Sequence, residues 1–219
     1  MKKIKVGIIG FGIVGKRRMD CLVEKEYANV VAVCDKNLSD GYLENTEIRT
    51  FQDFNHILNY DIEVAIVCMP NNLAHIVTMA ALEKGLHVFC EKPPGKTDAD
   101  IEKIHSFVSQ KSKSGLKLMY GFNHRYHDSV IKALDIVRNN ELGKLISLKG
   151  TYGKSKLITF NQPDWRTKRS MAGGGVLLDQ GIHMVDLIRL FGGDFEVMSS
   201  YISNNHWKFD VEDNAYALL

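Results

Sequence analysis

The stretch IKVGIIGFGIVG, residues 4–15, places a short run of β-branched residues directly before the glycine pattern Gly10-x-Gly12-x-x-Gly15. Residues 14–26 then have helical spacing. Because a strand, a glycine-rich turn and a helix follow one another without a gap, the stretch predicts the first unit of a parallel sheet. Gly10 permits the tight turn, Gly12 lets backbone N–H groups approach a pyrophosphate, and Gly15 lets helix and strand pack closely.

Asp35 strengthens this interpretation, since it ends a second apolar run about twenty residues after the glycines. A carboxylate there accepts hydrogen bonds from the ribose diol of NAD and repels the 2′-phosphate of NADP. Lys36 beside it could pair with that phosphate, so NAD is preferred and NADP stays open. The plain alternative for the loop is a tight turn without a ligand. The loop residues predicted to bind cofactor are Gly10, Phe11, Gly12, Ile13, Val14 and Gly15.

Strand-like and helix-like segments alternate regularly as far as Tyr120. Such alternation predicts an α/β fold, a doubly wound parallel sheet over residues 1–122. Beyond a boundary near residues 121–123, strands follow one another without intervening helices, which predicts an α+β domain on a mainly antiparallel open sheet, residues 123–219. The predicted elements there are helices over 129–139 and 177–191, and strands over 144–156, 196–203 and 214–219.

The composition is that of an ordinary soluble protein of 219 residues, 45% hydrophobic and 25% charged. A net charge of +2 predicts neither a nucleic-acid partner nor a membrane surface. The sequence contains no run of about eighteen apolar residues, so we expect no transmembrane helix. The N-terminus lacks the apolar region of a signal peptide. The four cysteines form no CxxC pair. We therefore expect no disulfide, no metal site and a reducing cytoplasmic location.

Lys92 lies in the turn Cys90-Glu91-Lys92-Pro93-Pro94, directly after a short apolar strand. The prolines stiffen the turn, and the carboxyl ends of parallel strands are where such sheets bind ligands. Desolvation and a cationic nicotinamide would both lower the pKa of this lysine toward a range in which it exchanges protons. A solvated loop lysine is the alternative.

A second polar turn ends the strand before it, at residues 68–75. Its residues predicted to line the cofactor groove are Cys68, Met69, Pro70, Asn71 and His75. Equally, the turn could serve only to begin a helix, with Asn72 as its N-cap and His75 as a packing residue.

A third cluster follows three glycines, Gly173, Gly174 and Gly175. Asp179 and His183 are spaced i, i+4, so on an α-helix they share one face. A histidine one turn from an aspartate is a candidate for acid–base catalysis, whereas a lone histidine on an apolar helix is usually a core residue.

Together these motifs resemble the glucose–fructose oxidoreductase/inositol dehydrogenase (Gfo/Idh/MocA) family of NAD(P)-dependent oxidoreductases, over essentially the whole chain. The combination of Glu91-Lys92-Pro93 with Asp179-x-Gly181-x-His183 is the most specific part of the resemblance. It implies a Rossmann domain, a sugar, polyol or sugar-nucleotide substrate, and hydride transfer from a secondary hydroxyl to nicotinamide. It also implies a cis peptide between Lys92 and Pro93.

The resemblance carries site residues over by motif. Lys92, Asp179 and His183 would be catalytic, with His183 as general base or in a proton relay with Lys92. Residues implied to contact the cofactor beyond those named above are Glu91, Lys92, Asn123, Trp165 and Arg166. Residues implied to contact the substrate are Lys92, Arg125, Trp165, Arg166, Asp179 and His183. Arg125 and Arg166 with neighbouring cations could form a rim for an anionic sugar, or serve only surface solubility.

The chain departs from the family at its C-terminus, because members usually continue with further strands where this sequence stops. An apolar terminal strand at residues 214–219 would pair with another chain, so we expect a homo-oligomer through the C-terminal sheet, or a truncated sequence. Three other hypotheses stay open: an NAD-dependent glycosidase using transient oxidation, a non-catalytic dinucleotide-binding regulator, and an inactive fragment.

Overall fold

The computed structural model describes residues 2–110, 115–155 and 165–219. The chain divides into two compact units, Met1–Gly121 and Phe122–Leu219, and each is described by itself. In the part of the chain that the structure describes, every helix is too short or too polar to cross a lipid bilayer.

The first unit alternates strands and helices. Its strands are β1 Ile4–Ile9, β2 Ala28–Cys34, β3 Gly41–Tyr42, β4 Arg49–Phe51, β5 Val64–Val67, β6 His87–Cys90 and β7 Leu118–Tyr120. Its helices are α1 Ile13–Val23, α2 Phe54–Ile57, α3 Asn71–Glu83 and α4 Asp98–Gln110.

The strands form one sheet in the order β3-β4-β2-β1-β5-β6-β7. All neighbouring pairs are parallel except β3 with β4, an antiparallel edge that the sequence did not predict. The strand order reverses at β1, where one connection runs toward β2 and later ones toward β5. The predicted doubly wound parallel sheet is confirmed, and its ligand crevice is expected where the order reverses.

The strands are apolar on both sides because helices cover both faces of the sheet. Successive residues of β1 enter different hydrophobic clusters, Ile9 with Val67 on one face and Ile8 with Val33 on the other. All four side chains are fully buried. Each contributes about 1.5–3 kcal/mol by burial, so the strand that carries the glycine loop is held rigidly.

The second unit combines short helices with one antiparallel pair of strands. Its helices are 3₁₀ turns Asn123–Tyr126 and Trp165–Thr167, α5 Asp128–Arg138, α6 Arg169–Ala172, a π-helical turn Leu177–Gly181 and α7 Ile182–Gly192. The strands are β8 Ser199–Ser203 and β9 Asn214–Leu218, paired from Ser199 with Leu218 to Ser203 with Asn214.

One sequence prediction in this unit is wrong. The strand expected over 144–156 is absent from residues 144–155, which are exposed and pair with no strand of the described chain. A strand needs such a partner for its backbone groups, and alternating apolar residues do not supply one. The helix expected over 177–191 is confirmed, since helical structure runs from Leu177 to Gly192, and its first turn, Leu177–Gly181, is π-helical.

Candidate functional site

Gly10 and Gly15 are glycines because the backbone leaves no space for a side chain. Gly10 has a φ of +92°, and a Cβ there would lie 2.4 Å from the carbonyl oxygen of Cys68. A Cβ on Gly15 would lie 2.1 Å from the carbonyl oxygen of Gly10. These contacts bring α1 against β1 and set the direction of its N-terminus.

Gly12 differs, since a Cβ there would meet nothing within 4 Å. It is the exposed N-cap of α1, and no side chain caps this helix end. The first backbone N–H groups of an eleven-residue helix are therefore open to an anion. The ring of Phe11 is buried, so its backbone is what it can offer a ligand, whereas Ile13 is exposed. Val14 follows it, half-buried, in the first turn of α1. This space fits the pyrophosphate of a dinucleotide.

Asp35 follows β2 at the same edge of the sheet. Its Oδ1 accepts hydrogen bonds from the backbone N–H of Asn37 at 3.0 Å and from the Asn37 amide at 2.9 Å. Asn37 thus shapes the turn and orients the carboxylate, a role that the Asp-x-Asn spacing could have indicated. Lys36 lies exposed between them.

The turn after β5 contains Cys68, Met69 and Pro70, each half-buried. The N-cap of α3 is Pro70 and the helix begins at Asn71, which is buried, so the expectation of Asn72 as N-cap is wrong. Proline suits the start of a helix because its φ is fixed and it has no N–H of its own to satisfy. Burial raises the pKa of the Cys68 thiol, which makes it unreactive at neutral pH.

Lys92 is half-buried in the turn after β6, and the Lys92–Pro93 peptide bond is cis as predicted. Beside it, Oε1 of Glu91 accepts a hydrogen bond from Nε of Arg18 at 2.5 Å. The guanidinium of Arg18 also lies over the ring of Phe89, 5.2 Å from its centre. Glu91 therefore binds α1, and the sequence analysis had not singled out Arg18.

His75 lies on α3 with its Nε2 3.3 Å from Oδ1 of Asp100 on α4. Among the described residues, the Asp100 carboxylate is thus the partner of the His75 imidazole. Whether His75 also contacts a cofactor stays a prediction.

In the second unit, Arg125 forms a two-pronged ion pair with Asp186 of α7. Its Nε donates to Oδ2 at 2.7 Å and its Nη2 donates to Oδ1. The hydrogen bond that Arg125 donates to Asp186 raises the pKa of Arg125. Because a nearly buried carboxylate neutralises it, Arg125 contributes less positive charge to a substrate rim than the sequence suggested. Asn123, two residues earlier, is exposed in the 3₁₀ turn.

Trp165, Arg166 and Asp179 lie together. The guanidinium of Arg166 lies 4.4 Å from the centre of the Trp165 ring, and its Nε is 3.8 Å from Oδ1 of Asp179. Oδ2 of Asp179 accepts a hydrogen bond from the amide of Gln180 at 2.6 Å. The structure thus links three of the predicted site residues in a row, with Arg166 between Trp165 and Asp179.

His183 is buried and stacks on the ring of His124, with ring centres 3.9 Å apart and planes inclined by 15°. The ring of Tyr152 stacks on that of His124, with ring centres 5.7 Å apart. Asp179 lies in the π-helical turn and His183 in the first turn of α7. Their common role stays a prediction.

Glu212 holds the glycine segment before Asp179, although it is 37 residues away in sequence. Its buried Oε1 accepts hydrogen bonds from the N–H groups of Gly175 at 2.6 Å and Leu177 at 3.3 Å. A Cβ on Gly175 would lie 2.0 Å from the carbonyl oxygen of Glu212. The third glycine therefore exists for this close approach, which no local pattern revealed.

Two family models match the chain. Residues 4–122 match the GFO_IDH_MocA model, described as an oxidoreductase family with an NAD-binding Rossmann fold. Residues 130–219 match the GFO/IDH/MocA C-terminal domain.

Curated relatives include a levoglucosan dehydrogenase from Pseudarthrobacter phenanthrenivorans, 31% identical over 65% of this chain and 36% of its own length. A D-glucoside 3-dehydrogenase from Escherichia coli is 30% identical over 84% of this chain and 52% of its own length. Among solved structures, myo-inositol 2-dehydrogenase from Lactobacillus plantarum is 27% identical with a TM-score of 0.77, over 93% of this chain and 60% of its own. The chain thus spans between about a third and three fifths of these relatives.

Proposed function

This chain belongs to the GFO/IDH/MocA family of NAD-binding oxidoreductases. We therefore propose that it transfers a hydride between nicotinamide and a secondary hydroxyl of a sugar, polyol or sugar nucleotide. The named relatives are dehydrogenases of levoglucosan, a glucoside and an inositol. All three compounds carry secondary hydroxyl groups on a ring, which supports this substrate class.

The observation that carries the proposal is the common edge of the first unit's sheet. The glycine loop follows β1, Asp35 follows β2 and Lys92 lies just after β6, and these strands run parallel. Their carboxyl ends therefore face the same side of the sheet, where the strand order reverses.

NAD fits these residues, with its pyrophosphate at the N–H groups that follow Gly12 and its adenine ribose at Asp35; NADP is a secondary candidate because of Lys36. When bound, the dinucleotide would supply the hydride acceptor. The further predicted contacts, among them Cys68, Met69, Pro70 and Glu91, lie in the turns beside this loop.

Oxidation of a hydroxyl also requires that its proton leave, so a general base must lie within hydrogen-bond reach of it. We assign this proton chemistry to Lys92 in the first unit and to His183 in the second. Asp179 would help to orient the substrate, because its carboxylate is held by Arg166 and Gln180. Acid–base catalysis of this kind is worth about 10²–10⁴-fold in rate.

We also propose how the chain assembles and where it is located. The paired strands β8 and β9 expose Tyr201, Ile202, Tyr216 and Leu218. An exposed apolar sheet supports association with another copy of the chain, so we propose a homo-oligomer through this sheet. The reduced cysteines of the described structure support a cytoplasmic location.

The test is a panel of sugars, inositols and sugar nucleotides incubated with NAD and with NADP, with the absorbance of the reduced cofactor as readout. We expect turnover with NAD and at least one ring polyol. Lys92→Ala should abolish turnover and leave the Kd for NAD nearly unchanged, because the glycine loop is intact.

Lys103→Ala is the matched control, since it removes an exposed lysine of α4 that has no predicted contact with the cofactor. It should keep turnover with NAD. Loss of NAD binding and turnover together in Lys92→Ala would contradict the assigned role of Lys92. Net cleavage of a glycoside without accumulation of NADH would replace the dehydrogenase by a glycosidase.

A further inference from the structure

We propose that His75 is a positioning residue: through Asp100 it holds the segment of residues 91–97 in which Lys92 lies. The inference rests on the proposed role of Lys92 in proton transfer. It gives His75 a task other than the cofactor contact that the sequence predicted.

The first link joins two helices. Nε2 of His75 on α3 lies 3.3 Å from Oδ1 of Asp100 on α4, and the two side chains are only 18% and 14% exposed. Because little water surrounds the imidazole and the carboxylate, solvent competes less for this polar contact than for one at the surface. The contact therefore constrains where α4 begins.

The second link joins Asp100 to the turn itself. Its Oδ2 accepts hydrogen bonds from the backbone N–H groups of Lys96 at 3.0 Å and Thr97 at 3.1 Å. In return, Oγ1 of Thr97 accepts from the N–H of Asp100 at 3.3 Å, a reciprocal cap at the start of α4. One carboxylate thus connects His75 to backbone four and five residues after Lys92.

Space is limited along the same path. A Cβ on Gly95 would lie 2.9 Å from Cβ of Asp100 and 3.2 Å from Cδ1 of Ile101. The turn therefore passes directly against the side chain that His75 holds, and displacement of Asp100 would move the turn.

A separate anchor holds the other end of the segment. Glu91, which immediately precedes Lys92, accepts a hydrogen bond from Arg18 of α1. Its Oε2 would lie 2.8 Å from a Cβ on Gly121, so the carboxylate packs on backbone. Lys92 lies between these two anchors, and loss of His75 should release only the end that leads to α4.

The consequence for catalysis follows from geometry. Misplacement of a reacting group by about 1 Å can cost roughly 100-fold in rate. The glycine loop follows β1 and is not part of the segment that His75 holds. A loosened turn should therefore lower kcat without a matching change in the Kd for NAD. A general loss of stability would not produce this separation.

The experiment compares His75→Leu, which removes the donor at similar size, with His75→Gln, whose amide nitrogen can replace Nε2. His105→Leu makes the same chemical change at an exposed position of α4 and is the control. We expect kcat to fall about 10–100-fold in His75→Leu with a nearly unchanged Kd for NAD. His75→Gln should recover most of the loss, and the control should match the wild type.

Two readouts do not depend on turnover. The rate at which acetic anhydride acetylates Lys92, followed by peptide mass spectrometry, should differ between His75→Leu and the wild type. Hydrogen exchange at the amides of Lys96 and Thr97 should become faster. If the wild type oxidises no sugar, the proposed function fails, yet faster exchange in the variant still supports the anchor.

Unchanged kcat, acetylation and exchange in His75→Leu would overturn the proposal. A raised Kd for NAD with unchanged kcat would instead place His75 in the cofactor site and equally overturn it. Should His75→Leu not fold, His75→Asn replaces it in every measurement, because its shorter amide does not reach Asp100.

Discussion

Alanine at Gly12 and alanine at Gly15 add the same methyl group to the glycine loop and should have opposite consequences. At Gly15 the new Cβ would lie 2.1 Å from the carbonyl oxygen of Gly10 and 3.1 Å from its carbonyl carbon. Both neighbours are backbone, so helix and strand must separate by nearly an ångström. Overpacking of this kind costs about 1–3 kcal/mol, or about 2–12 °C in Tm for a chain of this size.

At Gly12 the Cβ would meet nothing within 4 Å, and the φ of −77° suits any residue. The stability cost is then roughly 1 kcal/mol or less, the preference of an N-cap for glycine over alanine. The methyl group instead occupies the space assigned to the pyrophosphate. Loss of one charge-assisted hydrogen bond, about 1.5–3 kcal/mol, raises the Kd for NAD about 10–100-fold.

Thermal unfolding and isothermal titration with NAD measure the two effects separately. We expect Gly12→Ala to lose affinity with a Tm lowered by at most about 2–4 °C, and Gly15→Ala to lose more Tm with a smaller change in affinity. Wild-type affinity in Gly12→Ala would refute the placement of the pyrophosphate. A wild-type Tm in Gly15→Ala would refute the steric reasoning.

Three further outcomes are expected. Glu212→Ala should lower the free energy of unfolding by about 1–3 kcal/mol in urea denaturation, because it leaves the buried N–H of Gly175 without its acceptor, and Glu212→Gln should lose less. Burial raises the pKa of Cys34 and of Cys90 to about 12, so at neutral pH a thiol-specific disulfide reagent should label exposed Cys21 first, and mass mapping that finds rapid labelling of Cys90 would contradict this. The Asp213 carboxylate accepts hydrogen bonds from backbone N–H groups, first that of Asn205 and then those of Trp207 and His206, and these lower its pKa. The stability they provide is present above the unfolded pKa of about 3.9 and is lost as pH falls through the lower folded pKa. The difference in Tm between wild type and Asp213→Asn should therefore shrink below about pH 4.

Local patterns were sufficient for the first unit. The strands β1, β2, β5 and β6 coincide with apolar runs, and the longer helices α1, α3 and α4 with periodic spacing. Strands buried on both faces need continuous apolar residues, so their signal is strong in a single sequence. The second unit was harder, because residues 144–155 are predicted as part of a strand and yet form none in the described structure.

The sequence by itself determined the parallel sheet, the glycine loop and the family, because these depend on residues that are neighbours along the chain. Only the tertiary structure decided which charges meet. Arg18 and Glu91 are separated by 73 residues, Arg125 and Asp186 by 61, and Gly175 and Glu212 by 37. Periodicity carries information about the next few residues and none about such distant partners. The anchors around Lys92 and the cap before Asp179 therefore became visible only once the chain was folded.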